Sequence, residues 1–67
     1  MIRITVNGEA QDIRDGLTAA ELVAELRLSG RRLALEINEA LLPRSRFAEY
    51  RIRRGDRVEI VQAIGGG

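Results

Sequence analysis

The segment IRITVNGEAQDI, residues 2–13, decides the fold. Apolar and polar residues alternate over residues 2–6, which is the period of a β-strand with one buried face. The dipeptide Asn7-Gly8 follows, and it favours a type I′ turn because both residues tolerate positive φ. The return segment, residues 9–13, has fewer apolar positions and predicts an edge strand. The chain is therefore predicted to open with a β-hairpin.

A helix is predicted after the hairpin, from about Ala19 to Leu28. Thr18 and Glu21 have the spacing of a capping box, in which each side chain accepts a hydrogen bond from the backbone N–H of the other residue. Apolar residues within the segment recur on one helical stripe. Gly30 is predicted to supply the left-handed residue that ends the helix.

The second half of the chain predicts three more short strands. Apolar and other residues alternate over residues 33–37, a turn follows at residues 38–39, and a short strand is predicted at residues 40–42. Pro43 stops the pairing there because it has no amide hydrogen to donate. A turn at residues 54–57 then precedes the final strand, which begins near Val58.

This order of elements predicts an α+β fold of the β-grasp type. One main helix would pack on one face of a mixed sheet of four to five strands, with the last strand parallel to the first. Phe47 and Tyr50 are three residues apart, as in a short helical turn, and are predicted to pack on the core from the crossover. Residues 1–64 would form this domain, and residues 65–67 a flexible C-terminal glycine tail.

The composition argues against an enzyme. The 67 residues suffice for one small domain and contain no cysteine, histidine or lysine. These absences leave no Ser-His or Cys-His pair, no zinc ligands of the usual kind and no Schiff-base lysine. No stretch of about 20 apolar residues is present, so no membrane association and a cytoplasmic location are expected. A net charge of +1 does not indicate nucleic-acid binding.

The chemistry that remains is predicted at Gly65, Gly66 and Gly67. Three glycines present no Cβ atom that would obstruct a narrow channel in another protein. A free α-carboxyl on Gly67 has a pKa of about 3.3 to 3.7, so it is an anion at neutral pH. The alternative is that these glycines are a disordered end or a cloning remnant.

A docking patch is predicted beside this tail. If Val58 and Ile60 face the core, strand alternation points Val61 and Ala63 away from it, and Ile64 lies at the base of the tail. These three aliphatic residues would bind the partner that receives the tail. Alternatively, Val61 and Ile64 are covered by the chain's own edge or are single exposed apolar residues of no special role.

The charged residues indicate function less specifically than the terminal glycines do. Asp12, Asp15 and Asp56 have no metal-ligand spacing and are assigned to turns and solubility. Six of the eleven arginines fall within residues 44–57. They are interpreted either as a solvated face or as a surface that steers the chain toward an acidic partner. A nucleic-acid site is the third interpretation. The six are Arg44, Arg46, Arg51, Arg53, Arg54 and Arg57.

Four segments are informative together: LALEIN at residues 33–38, LLPRS at residues 41–45, GDRVEIV at residues 55–61 and the terminal glycines. In this combination they resemble the ThiS sulfur-carrier family of thiamine biosynthesis, which has a ubiquitin-like β-grasp fold. The resemblance covers nearly the whole chain. An aliphatic strand that runs into glycines at the end of a chain of this length is its most specific part.

The resemblance implies a defined set of partners. A ThiF-like adenylyltransferase would use ATP and magnesium to adenylate the carboxylate of Gly67. A persulfide sulfur donor would convert the adenylate to a thiocarboxylate, and thiazole synthase (ThiG) would take the sulfur. The chain itself would bind no cofactor and would act as a protein cosubstrate. Because the chain has three terminal glycines where two would satisfy the motif, the resemblance leaves open which two glycines the activating enzyme binds.

Other functions remain open from the sequence. The MoaD-like small subunit of molybdopterin synthase uses the same kind of terminus, but such chains often carry proline where Gln62-Ala63-Ile64 precedes the glycines here. Carriers that feed other sulfur metabolites, and a protein modifier conjugated through Gly67, also fit. A small RNA-binding β-grasp module would not need the tail at all.

Overall fold

The structure, a computed structural model, describes residues 1–62. Its five strands form one mixed sheet in the order β2-β1-β5-β3-β4, with a single α-helix, which confirms the predicted β-grasp arrangement. The predictions for Ala63, Ile64 and Gly65 to Gly67 lie outside the described residues. In chain order the elements are β1 (Ile2–Val6), β2 (Glu9–Ile13), α1 (Ala19–Glu25), β3 (Leu33–Ile37), β4 (Ala40–Leu42), a 3-10 turn (Arg44–Arg46) and β5 (Arg57–Gln62).

The opening hairpin has the predicted turn. Asn7 and Gly8 have φ angles of 50° and 86°, the pair of left-handed residues that a type I′ turn requires. The strands β1 and β2 pair antiparallel through five residue pairs that begin with Ile2 opposite Ile13. Strand β2 lies at the edge of the sheet, as predicted.

The predicted capping box of α1 is confirmed. The Thr18 hydroxyl accepts a hydrogen bond from the backbone N–H of Glu21 at 3.1 Å, and the Glu21 carboxylate accepts one from the N–H of Thr18 at 2.9 Å. The bonds from Thr18 lower the pKa of Glu21 below its ordinary value. Within residues 1–62 no helix has the length and apolar character that crossing a bilayer requires.

The predicted end of the helix was wrong. Helix α1 ends at Glu25, not at Leu28, and the left-handed residue after it is Arg27, with φ of 61°. The backbone N–H groups of Arg27 and Leu28 donate to carbonyls of the last turn at 3.0 and 2.9 Å, which is a Schellman motif. Leu28 is thereby brought back onto the core. Gly30, with φ of 81°, belongs to the following loop instead.

Strand β5 is the centre of the sheet. It pairs in parallel with β1 at Thr5–Arg57 and Val6–Val58, as predicted, and antiparallel with β3 through five residue pairs. Its inner face carries Val58 and Ile60, both buried in the core. The other buried apolar residues of the core are Ile2, Ile4, Ile13, Leu17, Ala19, Leu22, Val23, Leu35, Ile37, Phe47 and Ile52.

The Asn7 side chain extends the short parallel pairing beyond the end of β1. Its Oδ1 accepts a hydrogen bond from the N–H of Ile60 at 2.8 Å, and its Nδ2 donates to the carbonyl of Ile60 at 3.3 Å. The Asn7 backbone N–H donates to the carbonyl of Val58 at 2.8 Å. One side chain therefore replaces the strand neighbour that β1 no longer provides.

A second polar cluster fixes the start of β5. Asp56, only 6% exposed, accepts hydrogen bonds from the Tyr50 hydroxyl at 2.7 Å, the Arg53 N–H at 2.9 Å and the Asn38 side-chain amide at 3.0 Å. Phe47 is buried and Tyr50 packs against the core, as predicted. The assignment of Asp56 to a turn is correct, but its burial excludes the predicted solubility role.

The cluster shifts the pKa values of Tyr50 and Asp56. Burial raises the pKa of Tyr50 to about 12, and the bond to the Asp56 carboxylate adds to the effect. Burial alone would raise the pKa of Asp56, but the three hydrogen bonds outweigh it and hold that pKa below its ordinary value. The folded protein therefore favours the ionised carboxylate.

The Asn7 contacts predict a measurable contribution to stability. Asn7→Gly keeps a residue that accepts positive φ but removes both bonds to Ile60, and we expect it to lower the free energy of unfolding by about 1 to 2 kcal/mol. Asn7→Asp keeps the acceptor and loses the donor, so its loss should be smaller. Urea unfolding measures both variants, and equal stability of Asn7→Gly and wild type would contradict the assigned role.

The Asp56 cluster predicts a pH dependence. Because the pKa of Asp56 is lower in the folded state, its stabilisation is complete above the unfolded pKa of about 3.9 and is lost as pH falls through the lower folded value. Asp56→Asn should cost about 1.5 to 3 kcal/mol at pH 7. Its unfolding free energy should then fall less steeply than that of wild type between about pH 4 and 2. If the unfolding free energies of the two proteins fell in parallel over this pH range, the assigned role of Asp56 would be contradicted.

Candidate functional site

The candidate site is the end of the sheet at which β5 stops. Gln62, its last residue, pairs with Leu33, the first residue of β3, and the hairpin turn at Asn7-Gly8 lies on the other side of β5 at this end. The sequence continues for five residues beyond Gln62, and three of them are glycine. Five residues span at most about 17 Å when fully extended. The predicted carboxylate of Gly67 is therefore tethered by a short segment to the central strand.

The outer face of the sheet, away from the helix, carries exposed apolar residues at this end. Val61 is 60% exposed, as the sequence predicted, and lies opposite exposed Ala34 on β3. Leu41 on β4 is 66% exposed and lies opposite Glu36. We call Ala34, Leu41 and Val61 the outer patch. Val61 and Ala34 place apolar surface directly beside the last described residue of β5, and Leu41 lies diagonally across from Ala34, in the row that also holds Glu36 and Glu59.

Sequence reasoning missed two members of this patch. The signal for Leu41 was present, because Leu41 and Leu42 are neighbours in a strand and cannot both face the core. Leu42 packs against the core and Leu41 points outward. Ala34 gave no signal, since an exposed alanine in a strand is ordinary. The remaining predicted contacts, Ala63 and Ile64, lie outside the described residues.

The arginines that are clustered in sequence are separated in space. Arg44 donates to the carbonyl of Arg31 at 3.0 Å, which places it by the loop that leads into β3 and hence near the end of β5. Arg46, Arg51 and Arg53 instead line a depression at the opposite end of the sheet, where β5 begins. The segment of residues 44–57 is therefore not one basic surface.

The described residues at the exit of β5 include neither a metal-binding cluster nor a clearly displaced pKa. Within residues 1–62 no group of three or more acidic residues is arranged to hold a metal ion. Clearly displaced pKa values occur for Arg3, Asp12, Glu21, Tyr50 and Asp56, all of which make hydrogen bonds within the fold. These five displaced pKa values therefore reflect contacts that stabilise the fold.

Comparison with known proteins agrees with this geometry. The sequence profile of the ThiS family matches residues 4–67. The chain is 32% identical to the sulfur carrier protein ThiS of Escherichia coli strain K12 over 66 residues, which cover 98% of this chain and all of that protein. A crystal structure of the thiamine biosynthesis protein ThiS from Geobacter metallireducens superposes with a TM-score of 0.84 at 29% identity, covering 98% of this chain and all of that one.

A longer relative is similar as well. The chain is 35% identical over 66 residues to a thiazole synthase of Paramagnetospirillum magneticum, and it spans 98% of its own length but only 20% of that protein. The family profile, the full-length similarity to a sulfur carrier and the shared ubiquitin-like β-grasp fold agree on one assignment. This chain belongs to the ThiS family.

Proposed function

We propose that the chain is a sulfur carrier of thiamine biosynthesis that works through the carboxylate of Gly67. The observation that carries the proposal is the central strand β5, held on both sides, from which the sequence continues through Ala63 and Ile64 into three glycines, Gly65 to Gly67. Membership of the ThiS family supports it. The chain would act as a protein cosubstrate, and its partners would perform the chemistry.

The first proposed step activates the carboxylate. An oxygen of the Gly67 carboxylate attacks the α-phosphorus of ATP in a ThiF-like adenylyltransferase, and pyrophosphate leaves with its magnesium ion. The product is an acyl adenylate. An ionised carboxylate needs no general base for this attack, and glycine presents no Cβ that would obstruct a narrow entrance to the partner's site.

The second proposed step introduces sulfur. The terminal sulfur of a persulfide attacks the acyl carbon, AMP leaves, and an acyl disulfide forms. A thiol then cleaves the sulfur–sulfur bond and releases the thiocarboxylate on Gly67. This is nucleophilic acyl chemistry in which the partners supply both sulfur nucleophiles. The chain contains no cysteine that could compete for the activated acyl group.

The proposed acceptor is thiazole synthase (ThiG). The Paramagnetospirillum thiazole synthase contains a stretch similar to nearly this whole chain, which supports a physical partnership between the two kinds of unit. We assign the outer patch as the docking surface for the adenylyltransferase, together with Ala63 and Ile64. A short glycine segment needs an adjacent anchor if its end is to reach a reaction centre reproducibly.

The central experiment is intact-mass analysis after incubation with ATP, a persulfide donor and the cognate adenylyltransferase. Replacement of oxygen by sulfur on Gly67 should add about 16 Da to wild type. A variant with one alanine appended after Gly67, and one lacking residues 65–67, should gain no mass while their melting temperatures stay unchanged. Sulfur uptake by the variant lacking the glycines, or none by wild type, would overturn the proposal.

The docking assignment has its own test. Val61→Asp and Leu41→Asp place a charge in the outer patch, and each should lower kcat/KM for adenylation by about tenfold or more because a buried contact would hold an unpaired charge. Both side chains are largely exposed, so the fold should be retained. Ala10→Asp is the control. It makes the same charge change on the same face of the sheet, but on β2, which is two strands away from β5. Equal effects at all three positions would refute the patch.

A further inference from the structure

The arginines differ in their partners. Among residues 1–62, four of the eleven lie within 4.0 Å of a carboxylate: Arg3, Arg14, Arg46 and Arg57. The other seven have no carboxylate partner in this part of the chain. Four of these seven lie at the end of the molecule where β5 stops. We call them the exit arginines: Arg27, Arg31, Arg32 and Arg44.

Local structure brings the exit arginines together. Arg32 immediately precedes Leu33, which pairs with Gln62, so Arg32 lies beside the last described residue of β5. Arg27 occupies the left-handed position after α1, and the following loop closes through the Arg31 N–H, which donates to the carbonyl of Leu28 at 3.1 Å.

Arg44 joins them from a different part of the chain. Its guanidinium donates to the Arg31 carbonyl at 3.0 Å and lies 5.7 Å from the centre of the Phe47 ring. That cation–π contact restricts the side chain without neutralising its charge. All four exit arginines are exposed. Their charges are therefore available to another molecule.

The three remaining unpaired arginines lie at the opposite end of β5. Arg53 and Arg54 belong to the turn that Asp56 closes, just before the strand begins, and Arg51 donates to the Gly16 carbonyl. The six residues of β5 separate the two ends by about 17 Å. This second set has the same charge per residue and is likewise exposed, but it lies far from Gln62 at the end of β5.

We propose that the exit arginines bind an acidic rim around the entrance through which the adenylating partner receives the tail. The inference rests on the proposed function and names the chemistry of the partner's surface. Like charges held close together are favourable when an opposite charge binds them, and guanidinium groups pair with carboxylates in a bidentate geometry. Glu9 is an acidic residue at the same end and does not pair with any of the four.

An acidic protein surface fits better than a nucleic acid. The net charge of the chain is only +1, and its two aromatic residues, Phe47 and Tyr50, pack against the core and offer no stacking surface. The position of the four arginines beside the exit of β5 also matches a partner that approaches along the tail. Such charges act mainly by raising the rate of productive encounter.

Matched charge reversals test the inference. The variant R31E/R32E removes the exit charge, and R53E/R54E makes the same change in net charge at the other end of β5. Adenylation of each variant is followed by pyrophosphate release with the cognate adenylyltransferase, at ionic strengths from about 0.02 to 0.5 M. Thermal unfolding checks that each is folded, and the single variants R32E and R54E replace the pair if either double variant is not.

We expect kcat/KM of R31E/R32E to fall about tenfold or more at low salt, with R53E/R54E within about twofold of wild type, and the difference to vanish at high salt. Equal losses in both variants, no loss in either, or faster adenylation of R31E/R32E would overturn the inference. So would loss of salt-dependent binding to a single-stranded RNA oligonucleotide in R31E/R32E with adenylation unchanged. If wild type is not adenylated at all, the proposed function itself fails.

Discussion

The rest of the structure depends on the pairing of β5 between β1 and β3. The contact with β1 is short, with two residue pairs, and the Asn7 side chain completes it by bonding to both backbone groups of Ile60. The inner face of the strand carries Val58 and Ile60 into the core. A central strand held on both sides is a firm attachment point for the glycine segment that we propose is presented to a partner.

The two ends of β5 have different roles. At its start, the buried Asp56 carboxylate joins the crossover at Tyr50 to the turn at Asn38, so the polar bonds there serve stability. At its end, the described surface combines exposed apolar residues with unpaired guanidinium groups, which an isolated domain does not need for its own folding.

Much of this was predictable from local patterns. Strand alternation, the Asn7-Gly8 turn and the Thr18–Glu21 box each depend on neighbouring residues, and each was predicted correctly. The end of α1 was not, because Arg27 rather than a glycine adopts the left-handed conformation so that Leu28 can reach the core. The Asn7 bond to Ile60 joins residues 53 apart in the sequence, and the grouping of Arg44 with Arg31 also depends on tertiary contacts. No local pattern records such contacts.

Native-state hydrogen exchange tests the central claim most directly. If β5 is held on both sides, the amides of Asn7 and Ile60 should exchange only through global unfolding, with free energies equal to that of the buried β1 and β3 amides. Exchange of the Ile60 amide at the rate of a loop amide, while the amides of β3 stay protected, would contradict it, because the strand that leads into the glycine segment would then be free on its β1 side.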